Sequence, residues 1–190
     1  MRKEKVKRKT KETEIEIELN IDGRGESSIK TGIPFFDHLL KSFAKHGLFD
    51  LFVDASGDVE VDDHHTVEDT GIVLGETFRR CLREGKNISR FGDAIVPMDE
   101  SLSMCAVDVD GRGFFVFSGK FERGKIGNLS MENVPHFLRS FASSAGITIN
   151  IKVEGENDHH KAEAIFKSLG IALEKATRID ERRGIPSTKY

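Results

Sequence analysis

The sequence predicts an α+β protein made of two similar halves, with helices covering one face of each sheet. Three observations predict it. Apolar and polar residues alternate strictly over several short runs, apolar residues recur every three to four positions behind two prolines, and three blocks of sequence recur in the same order in the second half.

The elements follow in chain order. Met1 to Lys11 holds seven Lys or Arg and, after the Met, a single apolar Val, so it lacks the apolar stretch of a signal peptide. It reads as a basic, solvated N-terminal tail (1–11) that like charges keep extended. In Glu14-Ile15-Glu16-Ile17-Glu18-Leu19-Asn20-Ile21 the alternation is that of a strand with one buried face, broken by Asp22-Gly23. A helix follows, with Pro34 in its first turn, Phe36, Leu39, Leu40 and Phe43 on one face, and Gly47 to cap its end. A second strand spans about 49–54, and its partner in the later half is the alternating run 147–153. The second helix of each half covers about 64–83 and 159–177, and hairpin strands are expected near 102–117. Strand, helix, strand, helix in each half favours sheets covered by helices.

The repeat rests on particular residues. Ile33-Pro34-Phe35-Phe36-Asp37-His38-Leu39-Leu40-Lys41-Ser42-Phe43-Ala44 resembles Val134-Pro135-His136-Phe137-Leu138-Arg139-Ser140-Phe141-Ala142, with His38 and His136 in register after a two-residue gap. Upstream, Ile21-Asp22-Gly23-Arg24-Gly25 matches Val109-Asp110-Gly111-Arg112-Gly113. Downstream, Asp63-His64-His65-Thr66-Val67-Glu68 matches Asp158-His159-His160-Lys161-Ala162-Glu163. The units are therefore 12–93 and 94–186.

Charge and composition remove several function classes. The 29 Lys and Arg nearly balance 32 Asp and Glu, which argues against a dedicated nucleic-acid binder. No run approaches 18 apolar residues, so no membrane span is expected. Two cysteines, Cys81 and Cys105, make neither a disulfide framework nor a four-ligand zinc site, and the context reads as cytoplasmic.

Six of the seven histidines fall at matched places in the repeat, and only His46 has no counterpart. Each half presents His-His-x-x-Glu, which on a helix stacks the first His on the Glu one turn later. Adjacent helical side chains diverge by about 100°, so the two histidines of a pair cannot readily hold one ion. If both are ligands they point at two ions. Two motifs then build two metal sites, each also receiving His38 or His136 and one carboxylate. Such nitrogen-rich ligation without thiolate suits Mn, Fe, Co, Ni or Zn. A second group is cationic: Arg90, Arg112, Lys167 and the closing Pro186-Ser187-Thr188-Lys189 offer donors suited to a phosphate.

Gly32-Ile33-Pro34-Phe35-Phe36-Asp37-His38-Leu39-Leu40, Asp62-Asp63-His64-His65-Thr66-Val67-Glu68-Asp69, Pro97-Met98-Asp99-Glu100 and His159-His160-Lys161-Ala162-Glu163-Ala164-Ile165-Phe166-Lys167 closely resemble the imidazoleglycerol-phosphate dehydratase family, over nearly the whole chain. The resemblance implies a duplicated α+β fold with helices sandwiched between two four-stranded mixed sheets. It implies a lyase of histidine biosynthesis that removes water from imidazoleglycerol phosphate to give imidazoleacetol phosphate, with active sites formed between subunits of a 24-subunit shell assembled from trimers on binding Mn²⁺. Two Mn²⁺ per active site would be held by His38, His64, His65, Glu68, His136, His159, His160 and Glu163. The phosphate contacts carry over onto Arg90, Arg112, Lys167, Ser187 and Lys189, which makes 187–190 a substrate-binding tail. The catalytic Glu carries over onto Glu12. Family members usually have Met where Leu39 stands, and often an acidic residue and Gln at Lys41 and Ser42.

Three readings compete with the dehydratase, the last of them a nucleic-acid module whose only support is the basic segment 1–11. Two ions and a cationic pocket also serve a binuclear phosphohydrolase, although such sites usually share a bridging carboxylate. A metal-assembled shell or storage protein would use the same clusters to join subunits.

Overall fold

The computed structural model describes residues 1–83 and 87–182. The first half runs β1 (Lys3–Lys9), β2 (Thr13–Asn20), β3 (Ser27–Lys30), α1 (Pro34–Gly47), β4 (Asp50–Gly57) and α2 (His64–Leu82). The second runs β5 (Phe91–Met98), β6 (Ser101–Asp108), β7 (Phe115–Ser118), β8 (Lys125–Ile126), β9 (Leu129–Ser130), α3 (Asn133–Ala145), β10 (Thr148–Glu154) and α4 (Asp158–Thr177). Apart from the short β8-β9 hairpin, the two halves share one element order.

The sheets match strand for strand. Their orders are β1-β2-β4-β3 and β5-β6-β10-β7, and in each the last strand alone runs parallel to its neighbour. The helices lie between them. α2 packs on β1 and β2, α4 packs on β5 and β6, and across the middle α2 meets α3 and α1 meets α4. Fully buried phenylalanines from both halves fill this layer, with Phe36 edge-on to Phe137 at 5.2 Å and Phe137 stacked on Phe166 at 5.5 Å between ring centroids. Burying each such ring contributes about 1.5–3 kcal/mol.

Four expectations need correction. The basic segment is no solvated tail: residues 3–9 form β1, an edge strand antiparallel to β2. Its like charges are neutralised across the strand by Lys3–Glu18, Lys5–Glu16 and Lys7–Glu14 pairs at 2.5–2.7 Å, while Val6 turns inward and is buried. The boundary at 93/94 would cut through β5, the counterpart of β1. The expected hairpin near 102–117 is instead β5 with β6, since β7 pairs with β10 in parallel. Finally, Gly47 is the last residue of α1 and Leu48 takes the left-handed cap, with φ 55°. The glycine serves close packing, because a Cβ at Gly47 would run into the Phe49 ring and lie 3.1 Å from the carbonyl oxygen of Gly170 on α4. At the equivalent end of α3, Gly146 does cap the helix, with φ 70°.

Candidate metal centre

Both His-His-x-x-Glu motifs open helices whose first turns are held by buried carboxylates just ahead of the histidines. Asp63 accepts hydrogen bonds from Ser130 N at 2.7 Å, Ser130 Oγ at 2.6 Å and Asn133 Nδ2 at 2.9 Å. Asp158 accepts from Glu122 N at 2.8 Å and Arg123 N at 2.6 Å, and pairs with Lys161 at 2.6 Å. Burial alone would raise both carboxyls. The donors outweigh it and hold each below its ordinary value. Asn157 adds an N-cap on α4 by accepting from His159 N at 2.9 Å. The segment 119–133 thus fastens the starts of both α2 and α4.

From these helix starts six side chains converge as two mirrored groups. His38 of α1 meets His159 and Glu163 of α4, and His136 of α3 meets His64 and Glu68 of α2. Each group takes one histidine from one half and a His-Glu pair from the other. In each, the donor atoms lie within 4.8 Å of one another. His38 Nε2 and His159 Nε2 each lie 3.0 Å from Glu163 Oε1, and Lys167 Nζ lies 2.6 Å from Glu163 Oε2. Burial works against the Glu163 carboxylate, but Lys167, His38 and His159 hold its pKa down at about 2. In the second group His64 Nε2 is 3.4 Å from Glu68 Oε2, and the His64 and His136 rings stand 5.1 Å apart. Two imidazoles and a carboxylate aimed at one point fit a borderline divalent cation, and the donor chemistry gives no reason to favour Mg²⁺ or Ca²⁺.

The structure does not bring His65 or His160 into either group. As the helical geometry requires, each points away from its neighbour and meets carboxylates instead. His65 Nδ1 is 3.1 Å from Asp58 Oδ2, and His160 Nδ1 is 2.8 Å from Glu100 Oε2. These contacts raise both imidazole pKa values. Glu12, exposed in the β1-β2 turn, has its Oε2 3.9 Å from His65 Nε2. Glu100 occupies the matching place in the β5-β6 turn, one residue ahead of β6 as Glu12 is one ahead of β2. Hydrogen bonds from His160 and Asn157 N hold its pKa at about 2. The roles of Asp58 and Glu100 escape motif reasoning, although the string Pro97-Met98-Asp99-Glu100 marks the second of them.

The cations are split. Arg90 bonds Asp108 at 2.7 Å, and Arg112 bonds Asp110 and approaches Asp108 at 4.0 Å, so the two guanidiniums share one acidic corner beside β6. Lys167 lies with the His38 group, and Ser187 and Lys189 lie outside the described residues. His46, also without a counterpart in the repeat, stays out of both groups. Its pKa is lowered by burial and by the charge of Lys167.

Two matched sheets around crossed helices, with paired imidazole-carboxylate centres at the helix starts, define an α+β protein with two metal-competent sites. A sequence profile of the imidazoleglycerol-phosphate dehydratase family matches residues 31–173. The imidazoleglycerol-phosphate dehydratase of Methanocella arvoryzae is 59% identical over 189 residues, covering 100% of this chain and 98% of its own, and that of Methanococcus maripaludis is 58% identical with the same coverage. Among solved structures, the imidazoleglycerol-phosphate dehydratase of Staphylococcus aureus superposes with TM-score 0.85 at 33% identity, covering 94% of this chain and 99% of that one. The Pyrococcus furiosus enzyme superposes with TM-score 0.84 at 36% identity, covering 97% and 98%. The chain belongs to the imidazoleglycerol-phosphate dehydratase family, and it is a hydro-lyase.

Proposed function

We propose that the chain dehydrates imidazoleglycerol phosphate to imidazoleacetol phosphate in the cytoplasm, as a step of histidine biosynthesis, and that it needs two Mn²⁺ per active site to do so. The observation that carries this reading is the exchange of ligands between halves: each helix histidine, His38 or His136, converges on the His-Glu pair of the other half. Neither Glu68 nor Glu163 belongs to both groups, which disfavours a phosphohydrolase built around a bridging carboxylate. The shared element order supports two copies of one unit, each contributing to both centres.

His38, His159 and Glu163 would hold one ion and His64, Glu68 and His136 the other. Each ion would supply Lewis acidity toward a nitrogen of the substrate's imidazole, favouring charge that builds up on the ring during elimination. The chain's own groups do the rest. Glu12 accepts the carbon-bound proton of the glycerol side chain, and the hydroxyl on the ring-bearing carbon departs as water with a proton from a neighbouring acid. The enol left behind tautomerises to the ketone. Arg90 and Arg112, with Lys167, Ser187 and Lys189, grip the phosphate and fix the ring for reaction.

Three donors are fewer than the roughly four to six that such a divalent ion takes, while His65 and His160 project away beside Glu12 and Glu100. This arrangement supports donation of His65 and His160 to the centres of other subunits, with Glu12 carried across the same boundary as His65. It agrees with active sites that lie between subunits of a 24-subunit shell made of trimers. A dehydration assay with and without chelator, following ketone formation and inorganic phosphate separately, tests the reading. Ketone formed only with Mn²⁺ supports it; phosphate release without ketone would replace it with a hydrolase.

A further inference from the structure

The two centres share the same kinds of donor and differ in the residues beside them, first at a position that touches a ligand in both. Counting back three residues along the helix from His38 gives Phe35, and from His136 gives Asn133. Phe35 lays its ring 4.8 Å from the ring of His159, an apolar contact that offers the imidazole no hydrogen-bond acceptor. Asn133, which is 3% exposed, instead places Oδ1 3.1 Å from His64 Nδ1. Its amide has one reasonable orientation. The Nδ2 end lies 2.9 Å from Asp63 Oδ2, which already accepts from the backbone of Ser130, so the Asn133 oxygen faces the histidine. An acceptor at Nδ1 requires the proton there and leaves Nε2, the nitrogen facing Glu68, with its lone pair free.

A second difference runs the same way. Glu163 is buried and engaged by Lys167 at 2.6 Å, so an ion arriving at that centre must share its carboxylate with an ammonium group. One turn beyond Glu68 the matching residue is Ile72, and Glu68 is half-exposed.

We infer that Asn133 is a positioning residue that fixes the ring and tautomer of His64 through the chain Asp63–Asn133–His64, and that the His64-Glu68-His136 centre is consequently the tighter of two unequal ion sites. This rests on the reading that both groups hold divalent ions. Hydrogen bonds behind a ligating histidine typically set metal affinity within a range of about 10–100-fold.

Calorimetric titration of the metal-stripped protein with Mn²⁺ tests the inference, with thermal melting of each metal-free variant in parallel. The unaltered protein is expected to show two resolved steps, and Glu68→Gln should identify the tighter one by weakening it. Asn133→Leu, and the smaller polar Asn133→Ser in case the first fails to fold, should each weaken that step by about 10–100-fold and leave the other unchanged. Ser130→Ala, which removes a different donor to Asp63, should lower the melting temperature and leave both affinities intact. A tighter step that survives both Asn133 substitutions, or an equal weakening of both steps, would overturn the inference while leaving the metal centres standing. Absence of any ion uptake by the unaltered protein would remove the proposed function together with it.

Discussion

At the scale of single residues, the chemistry depends on where each carboxylate stands relative to the histidines. Glu12 projects from a turn beside His65 and touches neither three-ligand group. Glu12→Gln should therefore leave metal content unchanged and lower kcat by at least about 100- to 10,000-fold, the usual worth of a positioned acid or base. Metal analysis and steady-state rates on one preparation check both halves of that expectation. His64→Ala should differ by losing metal and activity together. Asp63 and Asp158 play another part, as buried acceptors whose pKa values fall below the ordinary 3.8 on folding. The unfolded chain binds these protons at higher pH than the folded one does. Their stabilisation is thus complete above pH 3.8 and is lost as the pH falls through the lowered folded values. Denaturant midpoints measured between about pH 6 and pH 2 should decline on acidification, and Asp63→Asn should flatten part of the decline at the expense of stability near neutrality.

Secondary elements place these residues, and helix crossings set the tolerances. α2 lies so close to α3 that a Cβ at Gly75 would stand 2.6 Å from the carbonyl oxygen of Phe141. Gly75→Ala should cost about 1–3 kcal/mol through overpacking, read as a lower melting temperature. Because α2 carries His64 and α3 carries His136, the same variant should also weaken ion binding at that centre. The elements were largely legible in the sequence. Alternation in 14–21 announced β2, and the Phe36-Leu39-Leu40-Phe43 spacing announced α1, because burial on one face imprints its period directly. Residues 3–9 escaped that logic: one buried Val6 among lysines carries little pattern, and the glutamates that neutralise them lie on a neighbouring strand. The β5-β6 pairing is obscured for a similar reason, since Phe91, Ile95, Leu102 and Met104 leave the outward face nearly as apolar as the inward one and blur the alternation.

For the molecule as a whole, the two halves depend on each other twice, through the shared phenylalanine layer and through ligands exchanged between halves. Phe137 touches Phe36 and Phe166, so Phe137→Ala should destabilise the fold by about 3–5 kcal/mol and loosen the helix starts on both sides. The repeat made all eight metal-ligand candidates visible in the sequence. It could not reveal that the exchange runs between halves, nor that Asn133 and Phe35 differ at the matching place, because those facts belong to helix packing. The most direct measurement is an anomalous difference map at the manganese absorption edge from crystals grown with Mn²⁺. A two-ion active site predicts one peak among His38, His159 and Glu163 and a second among His64, Glu68 and His136. Density showing the six side chains in place with no anomalous scatterer between them would contradict it.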